Sequence, residues 1–262
     1  MNVTELIQFL NRVGVRPKKS LSQNFLVDAH IVRKAADLAE VSGEDIVLEI
    51  GPGPGALTQE LLKRGARVYA VEIDRVFARE LNRFQTGKLT VIESDFLQFP
   101  LSSLPPGFKV VANLPYHITT PILEKLFSYP FASLTLMVQK ELADRIGAQA
   151  GTKTFGSLSL FTQFYTKFYG SFPVGASCFF PQPKVDSTVI RLDRQTPPAI
   201  DPVPFFSLVH KAFQQRRKML TSTLPLPKEE IKQALREIGM REDARPEMLS
   251  LDQWVQFAQI LI

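Results

Sequence analysis

The chain has 262 residues, 45% of them hydrophobic and 22% charged, with a formal net charge of +5 at pH 7 and a single cysteine. Those values suit one or two ordinary globular domains with a sizeable core and exclude a disulfide framework, while no apolar run approaches the roughly 18 residues of a membrane span. We therefore expect a cytoplasmic protein that is neither exported nor membrane-spanning, and the positive excess fits a polyanionic partner without requiring one.

In chain order, the periodicity predicts a short amphipathic helix from Val3 to Arg12, then the basic loop GVRPKKSLSQNFL. The positive surplus gathers around that loop, where Arg12, Arg16, Lys18, Lys19, Arg33 and Lys34 face Asp28 alone. Asp28 is placed to cap a second helix running to about Glu40. Apolar runs then alternate with helical patterns: DIVLEI, ARVYAVE, KLTVIES, FKVVAN and SLTLMVQ read as strands, with ALTQELLKRG and DRVFARELNRF among the segments between. This alternation predicts an α/β fold, a mostly parallel sheet with helices on both faces. Gly65 suits a helix stop and Asp74 a helix cap.

Beyond Gln139, KELADRIGAQ and SLSLFTQFYTKF look helical, FYGSFPV and STVIRLD look like strands, and CFFPQPKVD is a Pro-rich loop. The prolines of QTPPAIDPVP mark a linker, and every later segment is helical in period: FFSLVHKAFQQRRKML, KEEIKQALREIG, LDQWVQFAQIL. The expected division is an α/β domain with a basic extension over 1–196 and a small all-helical domain over 197–262.

DIVLEIGPGPGALTQEL puts Gly51, Gly53 and Gly55 in a strand-to-helix turn, where a ligand can approach the backbone. Two cofactor classes compete for this loop. Gly51, Gly53 and Ala56 satisfy the dinucleotide fingerprint, with Glu72 at the right distance to hold a ribose. S-adenosylmethionine also presents a ribose, but it is cationic and lacks a pyrophosphate; Glu49, before the first glycine, suits that ligand and has no part in the dinucleotide motif. After the third strand, Asp95 could accept from an adenine amine while Phe96 lies on the ring, although a turn or cap role also fits Asp95. Gly51 to Gly55, Glu72, Asp95 and Asn113 all fall at strand ends, which in an open α/β sheet line one crevice.

The strand that begins at Lys109 delivers Asn113, Leu114, Pro115 and Tyr116 into that crevice. Asn and Pro are common turn residues, so a turn with Tyr116 roofing the core is one reading. The other is amino methylation of a base. Adenine N6 is a poor nucleophile because its lone pair is delocalised into the ring; two acceptors on its N–H bonds would favour a pyramidal nitrogen. The Asn113 side chain and the Leu114 carbonyl supply those acceptors if Pro115 fixes the turn, and Tyr116 offers a stacking face worth about 1 to 3 kcal/mol. No cysteine lies in the crevice, which argues against carbon methylation of a pyrimidine. Cys178 reads as a packing residue, and His30, His117 and His210 lack metal-ligand spacing, so no metal site is expected.

PKKSLSQNFL, VLEIGPGPGALT, VYAVEID, ESDFLQF, VVANLPYHIT, SCFFPQPKVDSTVIRL and FQQRRKML occur in an order that resembles the ribosomal RNA adenine N6,N6-dimethyltransferase family, specifically its housekeeping bacterial branch. The resemblance covers about Arg16 to Leu220. It implies a Rossmann-like class I methyltransferase fold with a helical C-terminal domain, and S-adenosylmethionine as cofactor. It also implies that Gln23, Asn24 and Leu26 close over that cofactor, with Gly51, Gly53, Glu72, Ile73, Asp95, Phe96 and Asn113 completing its site. Asn113 to Tyr116, with Phe179 and Phe180, would hold an extruded adenine. The implied substrate is a pair of adjacent adenines in a hairpin near the 3′ end of 16S rRNA, within an assembling small subunit, and the implied enzyme is a monomer. Lys18 and Lys19, with Lys211, Arg216, Arg217 and Lys218 on a C-terminal helix, are the expected phosphate contacts. One departure is Ser22, where relatives commonly carry Gly. Macrolide-resistance methylases share much of the core, but FFPQPKVDS and FQQRRKML favour the housekeeping branch. An NAD-dependent oxidoreductase and a noncatalytic RNA-binding factor are the alternatives from other classes.

Overall fold

The computed structural model describes residues 1–18, 21, 23–84 and 86–262. Its contacts divide the chain into two compact units, Met1–Ala143 with Phe168–Arg194, and Asp144–Lys167 with Gln195–Ile262. The chain crosses between the units three times, at 143/144, 167/168 and 194/195.

The first unit is built on parallel strands at the places where the apolar runs fall: β2 (Ile46–Ile50), β3 (Arg67–Glu72), β4 (Leu89–Glu93), β5 (Phe108–Asn113) and β6 (Phe131–Gln139). Strand β9 (Ser187–Arg194) lies antiparallel to β6, and β7 (Thr166–Val174) completes the order β4-β3-β2-β5-β6-β9-β7. Val47, Leu48 and Ile50 are buried, as expected of a central strand covered on both faces. From β2 the chain builds outward to β3 and β4, then returns to β5 on the other side of β2, with parallel pairing throughout. The β2/β5 boundary is therefore a topological switch point, where a crevice opens at the carboxyl ends.

Helix α1 (Val3–Val13) has an Asn2 and Glu5 capping box. Helix α2 (Ala29–Leu38) is capped by Asp28, whose carboxylate accepts from the His30 and Ile31 amides. Asp74 does the same for α4 (Arg75–Leu81) through Val76. The end of α3 (Ala56–Lys63) is closed by Gly65 N–H donating to Leu62 and Ala66 N–H to Leu61, the two bonds of a Schellman stop. Two further strands, each of two residues, escape the periodicity. β1 (Phe25–Leu26) pairs antiparallel with β8 (Phe179–Phe180), tying the basic loop to the Pro-rich one.

Helices α5 (Thr119–Phe127) and α6 (Lys140–Ile146) follow along the chain, and in the second unit α7 (Ser157–Tyr165), α8 (Pro202–Phe213), the short α9 (Leu220–Thr223), α10 (Lys228–Glu237) and α11 (Leu251–Leu261) enclose a core around Trp254, Phe205 and Phe257. Phe164 of α7 stacks on Phe205, centroids 5.3 Å apart, which explains why residues 144–167 belong with the C-terminal helices. Helix α7 ends at Tyr165 rather than Phe168, with Thr166 already extended. Helix α8 also stops short of its expected length. After Phe213 come five polar residues and an exposed Met219, with no apolar stripe to hold another turn against a core, so Arg216, Arg217 and Lys218 lie in a turn. Among the described residues, no helix is long and apolar enough to cross a membrane.

Candidate active site

Two cavities meet at the carboxyl ends of β2, β3 and β5, and Gln23, Asn24 and Tyr116 line both. The first is walled by the glycine loop, by Leu26 of β1, by Glu49, Glu72 and Ile73, and by Ala112 to Tyr116. Gly51, Gly53 and Gly55 all take positive φ. At Gly53 the constraint is double, because a Cβ would also lie 3.1 Å from the Phe25 ring. Gly51 N–H donates to the Val71 carbonyl, which fixes the start of the loop against β3.

Glu72 is buried with both oxygens oriented: Oε2 accepts from Gly53 N–H at 2.8 Å and Oε1 from Asp74 N–H at 2.8 Å. Burial pushes its carboxyl up, and these amides partly restrain that rise. Each carboxylate oxygen can accept a second bond, so the amides aim Glu72 without exhausting it. Ile73 beside it is 53% exposed, an apolar ledge at the cavity mouth. Glu49 is 1% exposed, and its Oε2 has no hydrogen-bond partner. Burial, against the opposing pull of Thr58 and with a smaller push from the Glu72 charge, raises its carboxyl to about 8.

Asn113 ends β5 with its Nδ2 donating to the Asn24 carbonyl at 3.3 Å, which leaves Oδ1 as the side chain's acceptor. Leu114 is buried and its N–H donates to Met137. Pro115 at φ −62° leads into a 3-10 turn over Tyr116–Ile118, and the Tyr116 hydroxyl lies 2.7 Å from Ser187 Oγ. Burial raises the Tyr116 phenol, so the ring presents a neutral face at ordinary pH. Sequence reasoning did not find Ser187, which stands 71 residues away with no local signal.

Several expected residues are placed differently. Phe179 is 3% exposed and packs in a core with Ala35, Met137 and Val189, whereas Phe180 lines the second cavity with Tyr116. Successive strand residues point to opposite faces, so this aromatic pair cannot act together. Asp95 and Phe96 line neither cavity; Asp95 Oδ1 accepts from Leu97 N–H in a turn, and Phe96 is buried. Lys18 Nζ sits 2.7 Å from Asp74 Oδ2. Burial pushes the Asp74 carboxyl up, but Lys18 and the Val76 amide outweigh it and hold the group below its ordinary value. Lys18 therefore straps the basic loop to the start of α4. Lys19 and Ser22 lie outside the described residues. Arg217 and Lys218 are exposed on the second unit, while Arg216 donates to the Thr152 carbonyl.

Among the described residues the first cavity is lined by two acidic side chains, Glu49 and Glu72, and by no Lys, Arg or His. That lining suits a ligand carrying a sulfonium and an ammonium group and opposes a pyrophosphate. The unpartnered oxygen of the buried Glu49 is the feature such a ligand fits.

Comparison with known proteins agrees with this geometry. Residues 14–262 match the family described as ribosomal RNA adenine dimethylase. The ribosomal RNA small subunit methyltransferase A of Protochlamydia amoebophila is 45% identical over 97% of this chain and 94% of its own length. Its counterpart in Chlamydia felis is 43% identical, over 98% and 94%. Among solved structures, a dimethyladenosine transferase from Plasmodium falciparum superimposes with a TM-score of 0.77 at 26% identity, covering 89% of this chain and 95% of that one. The 23S rRNA methyltransferase ErmE gives 0.71 at 29% identity, covering 91% and 99%. What the glycine loop alone left open between two cofactor classes is thereby closed: this chain belongs to the ribosomal RNA adenine dimethylase family of S-adenosylmethionine-dependent methyltransferases.

Proposed function

We propose that this protein converts two adjacent adenines, in a hairpin near the 3′ end of 16S rRNA, to N6,N6-dimethyladenosine within an assembling small subunit. It acts in the cytoplasm as a monomer. The observation that carries the reading is the position of Asn113 to Tyr116, all four of which line the acid-lined cavity while Tyr116 also lines the groove containing Phe180. The small-subunit target rests on relatives such as that of Protochlamydia amoebophila, described as acting on small-subunit rRNA.

S-adenosylmethionine supplies a methyl group on positively charged sulfur. Glu72 accepts from its ribose hydroxyls, Glu49 faces its positive charge, and Ile73 supports the adenine. Gln23, Asn24 and Leu26 close the loop side. Asp95, one Oδ already held by Leu97, keeps the other as an acceptor outside the cavity lining, where only a ligand extending beyond that lining meets it.

Asn113 Oδ1 and the Leu114 carbonyl accept from the N6–H bonds of the target adenine and turn its lone pair toward the methyl group. Asn113 is preset for this because its amide nitrogen is already committed to Asn24. Tyr116 and Phe180 stack on the base, with the phenol anchored by Ser187. After the first transfer N6 keeps one N–H, so one acceptor suffices for the second. The proton is lost from the cationic amine product, whose low basicity makes a dedicated base unnecessary. Lys211, Arg217 and Lys218 remain proposed phosphate contacts.

The test is transfer of labelled methyl to hypomethylated small subunits, to mature subunits and to large subunits, followed by nucleoside analysis and mapping. Label in N6,N6-dimethyladenosine at two neighbouring positions of the first substrate supports the reading. Label only in large-subunit RNA would replace it with the 23S activity.

A further inference from the structure

We propose that the groove beside Tyr116 is a second nucleobase site, which holds the base adjoining the adenine being methylated. This proposal rests on the rRNA reading above. The groove measures about 1010 Å³, against the roughly 150 Å³ that encloses one benzene ring, so it can take more than a single base. Its walls come from α1 and from the loop that follows β8. Ile7, 39% exposed, and Val185, 47% exposed, both line it and offer apolar surface to a planar ring. Asn11 and Gln139 add amide donors and acceptors, and the exposed Arg16 and Lys184 add positive charge.

Two features distinguish this groove from a surface for a protein partner. Among the described residues no acidic side chain lines it, whereas the adjoining cavity contains Glu49 and Glu72 and no Lys, Arg or His side chain. The division of charge matches a cationic cofactor on one side and a polyanion on the other. The groove is also continuous with the target-base position, because Tyr116, Gln23 and Asn24 belong to both cavities. A single strand entering it brings a base next to the one on Tyr116. Apolar walls for stacking, amides for base edges and cations for phosphates are the means by which unpaired RNA is held. Where the substrate is a pair of adjacent adenines, the groove keeps the second unstacked while the first reacts.

The experiment uses a hairpin RNA carrying the adjacent adenines, and the same hairpin with either adenine replaced by an abasic residue. Affinity is measured for the full-length protein and for Val185→Glu, with Ile7→Glu as a second variant; both side chains are partly exposed, so neither change disturbs the core. Binding of S-adenosylhomocysteine to each variant reports an intact cofactor site. Removing the neighbouring base should weaken the wild-type complex about tenfold, as loss of one stacked base does. The variants should bind intact hairpin about tenfold more weakly and be indifferent to the abasic replacement, because the same contact is already lost. If the abasic replacement costs wild type and variants the same factor, or costs wild type nothing, the groove does not hold that base. Affinity carries this test, so its failure is distinct from failure of the proposed reaction, which is read on hypomethylated small subunits.

Discussion

Glu49→Gln should change the pH dependence of stability in a direction fixed by burial. The carboxyl lies on β2, 1% exposed, with one oxygen unpartnered, and burial raises it from 4.5 to about 8. Between those values the folded protein holds a proton that the unfolded chain has released. Stability must therefore fall as pH rises through this window and level off above it. A rise of about 3.5 at 1.36 kcal/mol each corresponds to roughly 5 kcal/mol across the window, an order-of-magnitude figure for a buried acid. Glutamine preserves the shape and removes the titration. Urea unfolding of both proteins from pH 5 to pH 8.5 should show the variant gaining several kcal/mol on the wild type as pH rises, with the gap smallest near pH 5. Saturating S-adenosylmethionine should flatten the wild-type slope, because positive charge in the cavity favours the ionised carboxylate. Parallel stability profiles for the two proteins would refute the argument that Glu49 is a buried neutral acid.

Glu72→Ala should weaken S-adenosylmethionine binding tenfold or more, since charged hydrogen bonds contribute about 1.5 to 3 kcal/mol each, and leave RNA affinity near wild type; calorimetry checks the first and filter binding the second. Tyr116→Phe, which loses only the hydroxyl bonded to Ser187, should keep methyl transfer within a few fold, whereas Tyr116→Ala should lose the stacking face and fall at least tenfold in single-turnover rate. Neutralising Lys18 should alter the salt dependence of RNA binding less than neutralising Arg16, because Lys18 is already paired with Asp74; the Arg16 change should lower the log-log slope by about 0.7 to 0.9 per lost phosphate contact.

The five parallel strands and the switch-point crevice were legible because each strand is a distinct apolar run bounded by glycine, an acid or a helix cap. Gly51 to Gly55, Glu72 and Asn113 could be placed for the same reason, since a strand end fixes where its residues emerge. What depended on distant contacts was not legible. Phe25 and Phe180 meet across 155 positions in two-residue strands too short for any periodicity, and their pairing is what separates Phe179 from Phe180. Lys18 looked like free charge because its partner Asp74 lies on the far side of the glycine loop in sequence. Asp144–Lys167 belongs with the C-terminal helices through aromatic packing that no local signal records. Letters for a helix over FQQRRKML were misleading because helical propensity without an apolar face cannot hold the last turn.

The central claim, that Asn113 directs the adenine amine, is tested most directly by single-turnover methyl transfer with Asn113→Ala at saturating S-adenosylmethionine, counting monomethyl- and dimethyladenosine separately. The variant keeps the Leu114 carbonyl and the Tyr116 ring but loses the acceptor that Asn24 holds in place. Transfer should fall by roughly 10² or more, the cost of removing one directed contact in a transition state, while hypomethylated subunits still bind. Dimethyladenosine formed by Asn113→Ala at the wild-type rate would contradict the account and reduce Asn113 to Tyr116 to a turn that closes the sheet.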